Sequence, residues 1–290
     1  MIHDRIVQLT RKYTEHDMLS LYAELPAFPE ARIRLLAACL NAYGKEKEHH
    51  ELYAVVVALV QMGLDTHDRI DTSTTQLSER AMRTRQLNVL GGDYYSSRFY
   101  NLLAQAGKVG MVRKLSEAVC EVNRLKMDFY TQQQQLLMSA EQYVGYSASI
   151  KSELFRGFDE LLEEPLSSHW NDLLTTVSRC ETIHEEWQRA RQRQQLTGWG
   201  YWYVVQNGSR EDRQLLEELV GSDTGQQASM ELASSFRIPE MLEEMLARQV
   251  EQFKTAVERL TNSQCTGELN SIADTFLQSL AEPVMHNEMR

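Results

Sequence analysis

The chain has 290 residues, of which 42% are hydrophobic and 24% charged, and a formal net charge of −11. A chain of this length buries roughly three-quarters of its unfolded surface, so a self-sufficient core is expected without disulfide or metal staples. The composition is globular rather than disordered. The acidic balance argues against nucleic-acid binding, which requires clustered Lys and Arg to neutralise phosphates.

The four cysteines, Cys39, Cys120, Cys180 and Cys265, are far apart and form no CxxC pair. Neither a zinc site nor a disulfide framework is expected, and a reducing cytoplasm is the simplest setting. The first residues lack the apolar run of a signal peptide. The most apolar stretch, 53–64, is too short to span a bilayer, so no transmembrane segment is expected.

Helical periodicity runs through the chain. It covers 2–20 and 30–43, then Leu52, Val55, Val56, Leu59, Val60 and Gly63, which share one helix face. Val55-Val56-Val57 is the best strand candidate, but it lies inside this longer helical pattern. The pattern continues over 76–106 and through Val109, Val112, Leu115, Val119, Val122 and Phe129, with Lys126 as a snorkelling edge. Further segments cover 139–163, 167–195, 210–220 and 239–262. Pro26, Pro29, Pro165, Pro239 and Pro283 fall between these segments or at their edges. A proline inside a helix costs about 3 kcal/mol, so their absence from 30–164 allows several long helices in succession.

Residues 197–203, Thr-Gly-Trp-Gly-Tyr-Trp-Tyr, break the charged helical composition, and Asn207-Gly208 follows as a turn signal. The stretch 197–209 reads as a hinge, an aromatic patch for a partner, or a loop packed on the core. The reading is an all-α helical bundle forming one domain over 1–290.

Two stretches carry candidate chemistry. Residues 64–72 read Leu-Asp-Thr-His-Asp-Arg-Ile-Asp-Thr. Asp65, Asp68 and Asp71 are spaced by three, so neighbours share a helix face. Carboxylates at a helix C-terminus oppose the macrodipole unless a cation compensates, which points either to function or to a polar helix end with Arg69 as counter-ion. Residues 88–98 contain Gly91, Gly92, Asp93, Tyr94 and Tyr95. Paired glycines in a helical pattern cost about 1 kcal/mol each against alanine. They suggest close approach of another backbone or a ligand, or else a break between two shorter helices.

Together these stretches resemble the front half of trans-prenyl diphosphate synthases. His67-Asp68-Arg69-Ile70-Asp71 stands where that family has its first aspartate-rich motif. Leu90-Gly91-Gly92-Asp93-Tyr94-Tyr95 matches the helix that follows, and Arg32-Ile33-Arg34 weakly resembles the segment that binds isopentenyl diphosphate. Arg69 takes the place of the second aspartate, Thr72 falls where another would stand, and no second DDxxD motif or preceding Phe-Gln pair occurs downstream. A chain of this degenerate kind is similar to component I of heptaprenyl diphosphate synthase, most clearly over 30–130. The half from 139 to 290 is assigned by continuity.

The resemblance implies the isoprenoid synthase fold and a non-catalytic subunit of heptaprenyl diphosphate synthase, not active alone. Its partner would be a catalytic subunit that holds Mg2+ and condenses isopentenyl diphosphate onto farnesyl diphosphate, for a menaquinone side chain. This chain would hold no metal or cofactor itself. Arg32, Arg34, Asp65, His67, Asp68, Asp71 and Asp93 would lie near the diphosphates. Leu59, Val60, Met62, Gly63 and Leu64 would line an elongation pocket that helps set product length, and Gly91, Gly92, Tyr94 and Tyr95 would serve helix packing. Two other readings stand beside it. One is a metal phosphohydrolase of the HD type, built from His49 or His50 with His67-Asp68 and Asp93. The other is a helical adaptor that docks through 199–203.

Overall fold

In a computed structural model the protein is described over residues 2–15, 17–22, 25–70, 78–136, 138–192, 196–219 and 226–281. The helical periodicity of the sequence becomes thirteen α-helices among these residues. In order they are α1 (Ile2–Thr14), α2 (Asp17–Tyr22), α3 (Glu30–Tyr43), α4 (His50–Asp68), α5 (Glu79–Gln105), α6 (Val109–Gln134) and α7 (Ala140–Arg156). There follow α8 (Leu166–Arg191), α9 (Gly198–Asn207), α10 (Arg210–Leu219), α11 (Gln226–Ser235), α12 (Ile238–Val257) and α13 (Ser263–Ala281). An isolated bridge between Gly44 and Leu162 is the only β pairing among the described residues. No helix there is long and apolar enough to cross a membrane.

The chain divides into two compact units, Met1–Glu121 with Glu153–Trp170, and Val122–Ser152 with Asn171–Arg290. The first unit is built around α4, which packs along α5 and also meets α1 and α3. Its residues from Tyr53 through Leu64 are all buried, including the Val55-Val56-Val57 triplet. A helix apolar on every side is a central helix, which explains why β-branched residues here do not form a strand. Around it stand Ile33, Leu35, Leu36 and Leu40 of α3, with Tyr95, Phe99 and Leu103 of α5. Phe155, Phe158 and Trp170 complete this core, and the Trp170 indole donates to the Phe155 carbonyl at 2.9 Å.

Helix ends follow local chemistry. Ser78 caps α5, its hydroxyl accepting from the Ala81 amide at 3.2 Å. Gly107, at φ +69°, stops the helix in the left-handed conformation that glycine adopts without strain. Between these ends α5 runs unbroken through Gly91 and Gly92.

In the second unit, α8 is tied to α12 and α7 through Arg179, which donates to Gln249 at 3.1 Å and to Glu141 at 2.6 Å. Lys254 of α12 meets Asp274 of α13 at 2.9 Å. The aromatic stretch after Thr197 is the helix α9, with Trp199 and Trp202 buried. All four cysteines are free, and burial pushes the Cys180 thiol above its usual range.

His50 opens α4 in a buried position beside Asn41, with its Nδ1 3.2 Å from Asn41 Oδ1. Burial, helped by Lys47, holds its pKa below the ordinary value. The unfolded chain therefore takes up a proton near pH 6.5 that the folded chain refuses, so stability falls as pH drops below about 6.5. Thermal melts from pH 7.5 to 5 should show a falling midpoint, with a shallower fall for His50→Gln; an equal slope for both proteins contradicts this assignment.

Candidate functional site

The candidate residues lie in the first unit, where the last turn of α4 crosses the middle of α5. Gly63 faces α5 so closely that a Cβ there would stand 3.0 Å from Ser96 Oγ and 3.3 Å from the Gly92 carbonyl oxygen. Gly92 leaves room for His67, since a Cβ at 92 would come within 2.5 Å of the imidazole Nε2. Gly91 accommodates Leu19 of α2, whose Cδ2 would lie 3.1 Å from an added Cβ. The two helices thus approach through missing side chains, and α5 contributes backbone where other helices contribute side chains.

This approach sets the polar groups in place. The His67 imidazole reaches Asp93 with Nε2 3.4 Å from Oδ1, an ion-pair distance rather than a short hydrogen bond. Asn88 of α5 donates to the Arg69 carbonyl at 3.3 Å, satisfying one of the orphan carbonyls that follow α4. Thr66 donates to the Met62 carbonyl at 2.6 Å. Asp68 and Arg69 are exposed beside this turn, so the cation stands where it offsets the negative helix end. Asp71 and Thr72 lie outside the described residues.

A second polar chain runs through the core side of α4. Arg32, only 4% exposed, donates from Nη1 to Gln61 Oε1 at 2.9 Å, and its guanidinium lies 5.2 Å from the centre of the Phe155 ring. Gln61 in turn donates from Nε2 to Asp65 Oδ1 at 2.8 Å. A buried guanidinium is thereby linked to a partly buried carboxylate through one amide. Gln61 was not singled out in the sequence, although a polar residue inside the apolar run 53–64, four before Asp65, is the signal that marks it. Arg34 is oriented along its own helix toward Glu30, 3.9 Å away.

The structure therefore brings Arg32 together with Asp65, and His67 together with Asp93, while Arg34 pairs locally. Leu59, Val60, Met62, Gly63 and Leu64 are all buried in the wall of α4. Tyr95 is buried, with its hydroxyl donating to the Thr14 carbonyl at 3.1 Å and burial pushing its pKa up to about 12. Tyr94 faces outward beside Arg98. The phosphohydrolase constellation is not assembled: His50 begins α4 and His67 ends it, about 25 Å apart at 1.5 Å per residue. Among the described residues, no three His, Cys, Asp or Glu side chains converge as a metal-holding group.

Large apolar side chains stand among the polar ones on the exposed side of α5. Met82, Val89 and Tyr100 fall on one line of the helix, flanked by Leu90 and Tyr94, and these five are between 39% and 62% exposed. Leu90 and Tyr94, one turn apart, form the apolar pair at the centre of this side, with Asp93, Ser97 and Arg83 around them.

This is the all-α isoprenoid synthase fold of the polyprenyl synthases. The chain is similar to a decaprenyl diphosphate synthase from Rhodobacter capsulatus, with a TM-score of 0.67, 16% identity, and 97% of this chain and 100% of that one covered. It is also similar to a geranylgeranyl pyrophosphate synthase from Lactobacillus brevis, with a TM-score of 0.73, 10% identity, and 96% and 95% covered. At such identities the likeness establishes the fold alone. The family of heptaprenyl diphosphate synthase (HEPPP synthase) subunit 1 matches residues 16–230, and the chain belongs to it. Heptaprenyl diphosphate synthase component 1 of Geobacillus stearothermophilus is 36% identical over 91 residues, a stretch that spans 31% of this chain and 39% of that relative.

The helix crossing is open to a direct test. Gly63→Leu forces a side chain into the α5 backbone and is expected to lower stability by about 2–3 kcal/mol. Gly145→Ala on α7, where an added Cβ meets nothing within 4 Å, should instead raise it by about 0.5–1 kcal/mol. Denaturant titration of the two variants checks this, and equal effects from both would remove the crossing as a tight constraint.

Proposed function

We propose that this chain is the non-catalytic subunit of a two-component heptaprenyl diphosphate synthase. It acts in the cytoplasm with a catalytic subunit that condenses isopentenyl diphosphate onto farnesyl diphosphate for a menaquinone side chain. The observation that carries the reading is the state of the acidic turn at the end of α4. Asp65 is bonded to Gln61, which also holds the buried Arg32. Arg69 stands where the resemblance places a carboxylate, and Asp93 lies against His67. Magnesium held for a diphosphate leaving group needs several carboxylate oxygens converging on each ion. Here Asp65 is bonded into the fold and Arg69 replaces one carboxylate, which leaves fewer oxygens free to converge on such an ion.

The exposed Leu90 and Tyr94 of α5 offer an apolar anchor for a docked partner, in keeping with a relative named as a component 1. Labelled isopentenyl diphosphate, farnesyl diphosphate and Mg2+ should give long-chain product only when this chain and the catalytic component are mixed. Leu90→Glu, placed at a site 62% exposed, should leave the chain folded yet abolish the gain on mixing. Product from this chain alone contradicts the proposal. No product in any tube, with the catalytic component shown to be competent, favours the adaptor reading.

Product length is the second part of the proposal, assigned to the α4 wall of Leu59, Val60, Met62, Gly63 and Leu64. Met62 is the adaptable member, its unbranched thioether able to fill an irregular gap. In the reconstituted pair Met62→Ala should shift the product distribution toward longer chains on reversed-phase chromatography. An unchanged distribution removes α4 of this subunit from length control.

A further inference from the structure

The second unit holds a cavity of about 330 Å3 between the end of α8, the start of α9, and α11 and α12. At its edge lies Glu186, whose side chain is only 3% exposed. The carboxylate accepts from the Tyr143 hydroxyl at 2.8 Å and from the Trp199 amide at 2.9 Å, and it is paired with Arg189 one turn along α8. The backbone is shaped around this group. Gly198 sits at φ +58°, and a Cβ there would collide with the Glu186 carboxylate, so glycine is required both by conformation and by space. Burial outweighs the three donors and leaves the Glu186 carboxyl above its usual range.

Arg189 is different in kind. Its side chain is 43% exposed and lines the cavity. A guanidinium carries five N–H donors in a rigid plane, and its contact with Glu186 uses only part of them. A cation held from behind by a buried carboxylate has its fork already oriented, which is the arrangement that favours bidentate anion recognition. The remaining wall is largely apolar, from Leu196, Met230, Ala233, Ile238 and Leu242. Arg191 and Glu240 also line it, so the charges of Glu186, Arg189, Arg191 and Glu240 sum to zero before anything binds. Glu186 and Glu240 on the same wall repel the further charge of a diphosphate, so a single head group on Arg189 is favoured.

We infer that this cavity is a binding site for a small amphiphile with one anionic head group, a carboxylate or a phosphomonoester, on a short apolar tail. The head group meets Arg189 and the tail lies along Met230, Ala233 and Leu242. The volume falls within the range of roughly 300–1,000 Å3 typical of small-molecule sites. The site belongs to neither the α4 turn nor the α5 face, so the inference stands independently of the synthase reading.

The test is calorimetric titration of the full chain with octanoate, geranyl monophosphate, geranyl diphosphate and geraniol. At least one of the two singly headed anions should bind saturably at one site, and which of them binds identifies the head group. Geraniol and geranyl diphosphate should bind at least tenfold more weakly than that probe. Arg189→Met should weaken binding at least tenfold. Because that variant leaves the buried Glu186 without its cation, Ala233→Phe, which fills the cavity and keeps the pair, should do the same with an unchanged circular dichroism spectrum. Geraniol binding as tightly as the anions, undiminished binding to a folded Ala233→Phe protein, or no binding of either anion would overturn the inference.

Discussion

The contact between α4 and α5 governs the first unit, and two absent side chains set it. Gly63 and Gly92 let the helices close until α5 presents backbone and Ser96 to α4. A glycine in a helix interior sacrifices about 1 kcal/mol of propensity, so its presence at both facing positions is explained by packing rather than local preference. The same closeness seats the His67 ring over Gly92 beside Asp93 and brings Asn88 to the carbonyl after α4. The chemistry of the acidic turn therefore rests on a steric condition.

That condition has an electrostatic counterpart on the opposite side of α4. A buried guanidinium is costly unless it is paired and hydrogen-bonded, and Arg32 meets the requirement through Gln61 and the face of Phe155. Asp65 is drawn into the same chain. Two of the groups that the family resemblance places near diphosphates, Arg32 and Asp65, are here part of the interior bonding of the fold. The polyprenyl synthase architecture is kept, with Asp68 and Arg69 of this turn exposed and Thr66 and His67 set against the helix crossing.

Much of this was legible in the sequence. The periodic segments 30–43, 76–106, 167–195 and 210–220 mark α3, α5, α8 and α10 closely, because their apolar spacing is regular and prolines lie outside them. The segment 2–20 is in fact two helices, α1 and α2, and 139–163 is α7 followed by a short 3-10 turn. Three helices had no such expectation. In α9 two glycines and a dense aromatic run suggest a break, and burial of Trp199 and Trp202 overrides propensity. In α11 and α13 the apolar residues are interleaved with Ser and, in α13, with Thr and Asn, whose side chains compete with helical hydrogen bonding, and with Gly267, which costs backbone entropy. At the site, Gly91, Gly92 and Asp93 could be singled out because they violate local preference. Gln61 carries a local signal as a polar residue in an apolar run, but its link to Arg32 joins α3 to α4 across 29 residues and leaves no mark in the periodicity.

Everything proposed for the first unit turns on whether the acidic turn of α4 has lost the capacity to hold metal-bound diphosphate by itself. The most direct measurement is electron paramagnetic resonance of Mn2+ titrated with the purified chain, with and without farnesyl diphosphate. The expected result is that the free Mn2+ signal falls no further with chain and farnesyl diphosphate together than with farnesyl diphosphate alone. A stoichiometric loss of that signal that needs both the chain and farnesyl diphosphate, and that disappears in Asp68→Asn, would contradict it.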